Sequence, residues 1–433
     1  MTTKPPTALT VLRNRDYSLF LLCLFLASLA AEVLTVAVAW KIYDISRNAL
    51  DLGLVGLVQF LPTCLLVLVT GSVADRFSRK RIMAICLAIE FAFTLAIFLV
   101  ARQDTTEVWP ILLLIAGLST GRAFMTPAAN SMPPILVARG EIAAAIACST
   151  SAWQLSLIAG PALGGLLYGV APGLAYGAAL VMVTIAALAV LGIRHREQRR
   201  AQEQSMLDSL IGGFRYMLQE KVVLGATTLD LFAVLLGSTV MLLPIFARDI
   251  LVAGPTGLGL LRAATGVGAL SMALALGLWP IRHKAGRIMF AAVAVFGLGT
   301  IAFGLSHSLA ISVIALAVMG ASDMISVYIR EVLIQMWTPD HLRGRVNAVN
   351  AVIIGASNEL GGFRAGISAA MFGPIVAAIA GGICTLAVAL LWFRWFPSLR
   401  QANDLTAVTE RVMPEHGAPE MPETVSAAAA RDR

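Results

Sequence analysis

The chain has 433 residues, of which 58% are hydrophobic and 13% are charged, and its formal net charge is +7. A soluble domain carries about 25% charged residues, so this composition excludes a soluble globular protein. The apolar residues come in runs of about 20, the length at which a helix spans a bilayer. The alternating strands of about ten residues that form outer-membrane barrels do not occur. The sequence therefore predicts an all-α membrane protein with many spans.

Twelve apolar segments are predicted to cross the membrane, and a basic segment divides them six and six. In chain order the predicted spans are 17–40, 52–74, 82–101, 109–132, 141–170, 174–193, 222–247, 257–280, 288–306, 309–336, 346–371 and 373–396. The predicted organisation is a six-helix bundle in 1–193, a cytoplasmic basic linker in 194–221, a second six-helix bundle in 222–396 and a disordered cytoplasmic tail in 397–433.

Lysine and arginine set the predicted orientation of these spans. With both termini in the cytoplasm, 24 of the 32 Lys and Arg residues lie in cytoplasmic segments and 4 lie in external ones. Cytoplasmic loops are enriched in these residues, so the positive-inside rule predicts that both termini are cytoplasmic. The five cysteines lie within apolar runs and form no C-x-x-C pair, so a packing role is predicted for them.

The two halves of the chain contain similar segments at an offset of 206 residues. The aligned pairs are 51–57 with 257–263, Gly71 with Gly277, Arg76 with Arg282, and Ala159-Gly160 with Ala365-Gly366. Because this offset spans six helices, the two halves have the same orientation. The sequence therefore predicts a parallel repeat about an axis along the membrane normal.

The loop between spans 2 and 3 carries a complete G-x-x-x-D-R-x-x-R-K pattern. Its residues are Gly71, Asp75, Arg76, Arg79 and Lys80. Glycine permits close helix approach, and an aspartate is stabilised beside the positive N-terminal end of a helix. The loop resembles the signature of the major facilitator superfamily, which implies twelve helices in two pseudo-symmetric six-helix bundles. The resemblance also implies that Asp75 contacts helix 11 in a conformational latch, whereas the equivalent loop of the second half lacks the acid.

Span 5 contains the segment Gly160-Pro161-Ala-Leu-Gly164-Gly165. Glycine and proline kink a helix and remove side-chain bulk, which favours tight helix packing. The segment resembles the helix 5 motif of antiporters in the superfamily, most of which export. That resemblance implies that helices 5 and 8 close one end of a cavity. A bulky residue at Gly164 is predicted to hold the two helices apart.

A third resemblance indicates a particular branch of the major facilitator superfamily. The segments 338–347 and 358–366 resemble bacterial exporters related to the enterobactin exporter, which expel siderophores and other amphipathic compounds. This implies an inner-membrane exporter whose substrate is a siderophore, a drug or a metabolite.

Ten charged residues lie at mid-span positions of the predicted spans, where each costs about 2.5–3.5 kcal/mol near the bilayer centre. They are Glu32, Glu90, Arg122, Asp230, Arg262, Asp323, Arg330, Glu331, Glu359 and Arg364. The family resemblance implies that helices 1, 4, 7 and 10 line the central cavity. The candidate substrate and proton site is then Glu32, Arg122, Asp230, Asp323, Arg330 and Glu331. Structural ion pairs between helices are the alternative interpretation of each residue.

Proton coupling requires a carboxylate that binds and releases a proton near the working pH, which burial beside a movable arginine allows. Glu32, Asp230 and Asp323 lie on the predicted cavity helices and are the expected coupling acids. Glu90 and Glu359 are expected to lie outside the coupling path.

The predicted function is secondary active transport, with proton-coupled export of a small molecule by alternating access. No zinc-protease, nucleophile-elbow or phosphate-loop motif occurs, so no enzyme activity, catalytic residue, metal or cofactor is expected. The expected partners are the substrate, protons and the lipid bilayer, without nucleic acid, and the chain is expected to be monomeric. A lipid or lysolipid flippase on the same fold and a non-transporting sensor are the alternatives.

Overall fold

The computed structural model describes residues 8–103, 107–194 and 206–402, which form helices and no β-strand. The long helices are α1 (Arg15–Ser46), α2 (Ala49–Arg76), α3 (Arg79–Arg102), α4 (Trp109–Asn130), α5 (Ile142–Val170), α6 (Pro172–Gly192), α7 (Lys221–Gly237), α8 (Gly254–Leu278), α9 (Ala285–Leu305), α10 (Leu309–Trp337), α11 (Asp340–Phe372) and α12 (Pro374–Trp395). Each predicted span falls mainly on one of these helices, and the seventh, 222–247, continues past the end of α7. The predicted disordered tail lies outside the described residues from residue 403 onward.

Shorter helices occupy the connections and the ends of the described segments. They are Ala8–Leu12, Pro133–Leu136, Arg139–Glu141, Met206–Gln219, Val240–Leu242, Leu243–Ile245, the π-helix Phe246–Ile250, and Pro397–Arg400. Met206–Gln219, called the linker helix below, lies inside the segment predicted as a basic linker. Residues 195–205 of that segment lie outside the described residues.

Eleven of the predicted spans coincide with helical segments that are long and apolar enough to cross a membrane. The other predicted span falls on α11, where Asn350, Glu359 and Arg364 interrupt the apolar residues. These polar positions have partners on neighbouring helices, as in the 2.9 Å hydrogen bond from Asn350 Nδ2 to Glu331 Oε1 of α10. The protein is therefore a multi-pass integral membrane protein.

The seventh span contains a helix break. α7 ends at Gly237, and short turns carry the chain from Ser238 to the π-helix. A helix end leaves carbonyls without intrahelical partners, which is costly in hydrocarbon. Arg364 of α11 donates to the Leu235 and Ser238 carbonyls, at 3.2 Å each. The structure thus assigns this mid-span cation a structural role at the break.

Helix packing repeats between the halves. α1 packs against α5 and α6, α2 against α4, and α3 against α4 and α6. Adding six to each number gives the packing of the second half, where α7 packs against α11 and α12, α8 against α10, and α9 against α10 and α12. The main contacts between the halves, α2 with α11 and α5 with α8, are related by the same shift. This pattern confirms the predicted fold of two pseudo-symmetric bundles.

Glycine contacts correct the repeat register in α5 and α11. Gly160 packs against the Cβ of Glu32, and Gly361 packs against the Cβ of Ser238. Glu32 and Ser238 are 206 residues apart, whereas Gly160 and Gly361 are 201 apart. The prediction that Gly160 matches Gly366 is therefore wrong. The reason is that the chain is five residues shorter between α8 and α11 than between α2 and α5.

Candidate substrate cavity and closed end

A large cavity lies among helices of the first half of the chain. It has a volume of about 730 Å³, and its described lining comes from α1, α3, α4, α5 and the short helix Pro133–Leu136. The apolar lining includes Phe20, Leu24, Met125, Ile146, Trp153 and Leu157. The polar lining includes Ser28, Glu32, Glu90, Arg122, Thr126, Asn130, Ser149 and Thr150. Pockets for drug-sized ligands occupy roughly 300–1,000 Å³, so the cavity has room for an amphipathic molecule of that size.

Glu90 and Arg122 form an ion pair in the cavity wall. The Arg122 Nη2 and Nε atoms donate to the same oxygen, Glu90 Oε1, at 2.8 and 3.2 Å. Glu90 lies on α3, which is not one of the helices expected to line the cavity. The structure instead places it at the cavity as the direct partner of Arg122. Sequence spacing contains no signal for this pair, since the two residues are 32 positions apart on different helices.

The predicted acidic and basic residues of the second half form a separate cluster. Asp230 of α7 and Arg330 of α10 make a salt bridge, and the two residues are 6% and 1% exposed. Asp323 lines a small void beside Asp230, together with Ser322 and Ser326. Glu331 lies apart from this cluster and accepts the hydrogen bond from α11 described above. The six predicted site residues are thus not one constellation.

Three charged residues lie near one another between the halves. Arg262 of α8 is within electrostatic range of Glu32 of α1 and of Glu359 of α11. The Arg262 Nε atom is buried and has no hydrogen-bond partner among the described residues. Position 56 of α2 is a glycine, and a Cβ there would lie 3.3 Å from Glu359 Oε2. The sequence identifies Arg262 and Glu359 as mid-span charges, but no sequence pattern connects them to Glu32, because the three residues lie on separate helices.

Charged side chains also connect the last turn of α1 to the π-helix after α7. Arg47 Nη1 lies 3.4 Å from Asp249 Oδ1, and Arg248 pairs with Asp44. The Tyr43 hydroxyl donates to Asp249, a residue 206 positions later. This separation equals the repeat offset of α1 and α7, so the contact lies on the pseudo-two-fold axis. In the sequence these arginines indicate only the topology, and no local pattern predicts the cluster.

Close glycine contacts seal the same end of the molecule. A Cβ on Gly165 of α5 would lie 2.7 Å from the Cα of Gly259 on α8. A Cβ on Gly366 of α11 would lie 2.6 Å from the Cα of Gly53 on α2. Together with Tyr43 and its charged neighbours, these four glycines define what we call the closed end. The cavity extends the other way, toward Phe20 near the start of α1.

The glycines of the helix 5 motif contact different helices. Gly160 and Gly164 face α1, and a Cβ on Gly164 would lie 3.0 Å from the Cα of Val33. Gly165 faces α8, and the Pro161 carbonyl also approaches Gly259. The α5–α8 contact predicted for the motif is therefore present, but the prediction that Gly164 makes it is wrong. The reason is the helical period, which turns adjacent residues by about 100°.

The loop between α2 and α3 lies at the opposite end from the closed end. Gly71 and Arg76 lie in the last turns of α2, and Arg79 is the first residue of α3. Lys80 donates to the Leu191 carbonyl at 3.0 Å and to the Ile193 carbonyl, which caps the end of α6. The side chain of Asp75 lies outside the described part of the structure, so the latch contact with α11 stays a prediction.

The sequence matches the family described as "Transmembrane secretion effector" over residues 6–425, and this family lies within the major facilitator superfamily. The chain belongs to this family. The transporter is 27% identical over 415 residues to the multidrug efflux pump Tap of Mycobacterium tuberculosis, covering 90% of this chain and 96% of Tap. It is 25% identical to macrolide efflux protein A of Streptococcus pyogenes, covering 77% and 84%. It is also 25% identical to the enterobactin exporter EntS of Escherichia coli O1:K1, covering 87% and 91%.

Solved structures share the transporter's fold at low sequence identity. A bacterial homologue of the human lysosomal transporter Spinster, inward-facing and occupied, has a TM-score of 0.69 at 16% identity. That match covers 92% of this chain and 99% of the other. A D-xylose–proton symporter also has a TM-score of 0.69, at 11% identity, covering 90% and 99%. These likenesses confirm the major facilitator fold.

Reversing a charge at the closed end is expected to impair the transporter. Arg248→Asp places an acid beside Asp44 and Asp249, so transport should fall a few-fold, since an exposed ion pair contributes about 0.2–1 kcal/mol. The double variant Asp44→Arg with Arg248→Asp restores opposite charges and should recover most of the transport rate. Uptake or efflux assays at matched protein levels measure both. A double variant no better than Arg248→Asp alone would contradict the role of this pair.

Proposed function

We propose that this transporter exports a small amphipathic compound across the bacterial inner membrane by alternating access. The observation that carries the proposal is the combination of a large open cavity with a closed end built from repeat-related contacts. In alternating access, two pseudo-symmetric bundles rock about a fixed site. A conformation closed at one end and open at the other is one of the two states that this cycle requires.

The positive-inside count supports an inward-open assignment of this conformation. With both termini cytoplasmic, α1 begins at the cytoplasmic surface and ends at the external one. The closed end, which includes Tyr43 in the last turns of α1, then faces outward. The cavity opens toward the cytoplasm, where an exporter collects its substrate. The chain acts as a monomer in this proposal, because one chain contains both bundles.

The cavity lining favours an amphipathic substrate. Aromatic and aliphatic side chains such as Trp153 and Phe20 supply apolar surface, while Glu32 and the Glu90–Arg122 pair supply charge. The names of the similar proteins support this class, since they include a macrolide efflux protein, a multidrug pump and an enterobactin exporter. Siderophores, drugs and metabolites of this character are the proposed substrates.

We further propose proton antiport, with Glu32 as the first candidate among Glu32, Asp230 and Asp323. Glu32 lies both at the cavity wall and within electrostatic range of Arg262 of the other half. Rocking of the halves changes the distance between the two. A nearby arginine favours the ionised carboxylate, so its approach expels the proton and its withdrawal allows protonation. Asp230 is already held by Arg330 in a buried pair.

The latch proposal predicts that Asp75→Asn lowers transport while insertion and folding are retained. A carboxylate at a helix N-terminus contributes about 0.3–1 kcal/mol, and up to ~2 kcal/mol when partly buried. Losing this contact should bias the equilibrium between the two states and slow turnover. Glu107→Gln, the same loss of charge at an exposed position in the connection between α3 and α4, is the control. Equal transport rates for Asp75→Asn, Glu107→Gln and wild type would defeat the proposal.

Accumulation assays in cells with and without the gene test the proposed export. Siderophores and amphipathic drugs of both charge signs form the panel, and labelled phospholipid translocation is measured in parallel. Export predicts lower cellular accumulation of at least one small compound when the transporter is present. Lipid translocation without any small-molecule effect would favour the flippase. Ligand binding without counterflow in proteoliposomes would favour the sensor.

A further inference from the structure

The linker helix Met206–Gln219 is fixed to the second half of the transporter by one of its faces. Met217 is 1% exposed and packs in a cluster with Ile334 of α10 and Val346 of α11. The Tyr216 hydroxyl donates to the Trp337 carbonyl at the end of α10. Gly213 lies against the backbone at the start of α11, where a Cβ would be 3.1 Å from the Val346 nitrogen. This face is therefore an integral part of the α10–α11 corner.

The opposite face of the linker helix is apolar and uncovered. Ile211, Phe214 and Leu218 are 59%, 50% and 52% exposed. Spacings of three and four residues place them in one stripe along the helix. In water, such a cluster of large apolar side chains on so short a helix is unfavourable. The stripe therefore requires an apolar environment that the described residues do not supply.

Position and charge identify that environment. The linker helix follows α6 and precedes α7, at the end of the molecule that carries the loop between α2 and α3, so it lies where spanning helices leave the bilayer. Arg215, beside the stripe, and Lys221, just after the helix, are both exposed. An apolar stripe flanked by cations is typical of helices that lie in the membrane interface and attract anionic lipids.

We infer that the linker helix is an interfacial lipid-binding element, with Ile211, Phe214 and Leu218 inserted among lipids and Arg215 and Lys221 binding anionic headgroup phosphates. The segment predicted as a plain cytoplasmic linker then has a defined partner. Because its other face holds the start of α11, the bound lipid surface anchors one of the helices that pack across the two halves. The inference requires a membrane protein but not a particular substrate or direction of transport.

Spin labelling of the full chain in vesicles tests the inference. In a background with the five cysteines replaced, Phe214→Cys and Leu218→Cys carry a nitroxide, and Gln219→Cys, exposed beside the stripe on the same helix, is the control. Relaxation by oxygen reports lipid, and relaxation by a water-soluble nickel chelate reports water. The expected result is preferential oxygen access at 214 and 218 and preferential nickel access at 219, with deeper labels in vesicles containing phosphatidylglycerol than in phosphatidylcholine alone.

The contribution of Arg215 and Lys221 to lipid binding is measured separately. Arg215→Gln with Lys221→Gln should remove the added depth in phosphatidylglycerol vesicles while leaving the label at 214 oxygen-accessible. Equal nickel access at 214 and 219 in both lipids would overturn the inference, because the stripe would then face water. Protection of 214 from both reagents, with spin–spin broadening between chains, would also overturn it and assign the stripe to a second copy of the transporter.

Discussion

Gly165→Leu is expected to abolish transport while the protein stays folded in the membrane. The Cβ of any other residue at this position would lie 2.6 Å from the Pro255 carbonyl oxygen and 2.7 Å from the Gly259 Cα. Both atoms belong to the α8 backbone and have no flexible side chain that can move aside. Overpacking costs about 1–3 kcal/mol, which shifts a two-state equilibrium about 5- to 150-fold. The closed end would then close rarely, and alternating access would stop.

Three matched variants make this test specific. Gly177→Leu on α6 is the control, because a Cβ there has no neighbour within 4 Å. Gly366→Leu creates the equivalent clash between α11 and α2, so it should reproduce the defect. In Gly164→Leu the new side chain clashes with α1 of the same bundle. This variant should lower the amount of folded protein more than it affects the closed end. Normal coupled transport by Gly165→Leu at matched expression would show that the contact between Gly165 and Gly259 is not needed to close this end of the cavity.

Glu32→Gln is expected to abolish transport driven by a pH gradient while sparing substrate exchange at zero gradient. Glutamine keeps the shape of the side chain but cannot carry a proton, so the bundles can still rock with substrate bound. The position supports this outcome, since Glu32 lies at the cavity and within electrostatic range of Arg262. Proteoliposomes with an imposed pH gradient, compared with exchange in symmetric buffer, separate the two activities.

The other buried acids serve as comparisons for the coupling test. Loss of gradient-driven transport in Asp230→Asn or Asp323→Asn would still support coupling through one of the three proposed acids, Glu32, Asp230 and Asp323. Glu90→Gln is expected to alter substrate affinity through Arg122 and to keep coupling. Glu359→Gln is also expected to keep coupling, although Glu359 shares Arg262 with Glu32. Retained coupling in all three predicted variants, with loss in Glu90→Gln, would show that the wrong helices were chosen.

The helices were predictable because a bilayer imposes a length and a polarity on each span. Even α11 was found, although Glu359 and Arg364 make it too polar for a hydropathy criterion. The break at Gly237 was not predicted, because the residue that stabilises it, Arg364, lies 126 positions after Ser238. Local patterns contain the information for helix length but not for partners supplied by a distant helix.

The candidate site was predictable only in part for the same reason. The presence of buried charges was evident, but their pairing depended on how six helices pack in each bundle. Glu90 was excluded by its helix number, yet the rotation of α3 directs it to Arg122. The predicted repeat register is wrong in α5 and α11 because it relied on the similar dipeptides Ala159-Gly160 and Ala365-Gly366. The chain between α8 and α11 is five residues shorter than the chain between α2 and α5, which shifts the true match. Contacts of Gly160 and Gly361 with equivalent positions of α1 and α7 were needed to correct it.

Transport in proteoliposomes of uniform orientation is a direct test of proton-coupled export. A compound found in the accumulation screen is supplied at the side carrying the N-terminus, the opposite compartment is made acidic, and movements of substrate and protons are recorded together. We expect substrate to move into the acidic compartment as protons leave it, and we expect Gly165→Leu to remove both fluxes. Substrate binding without movement, or movement toward the side carrying the N-terminus under this gradient, would contradict it.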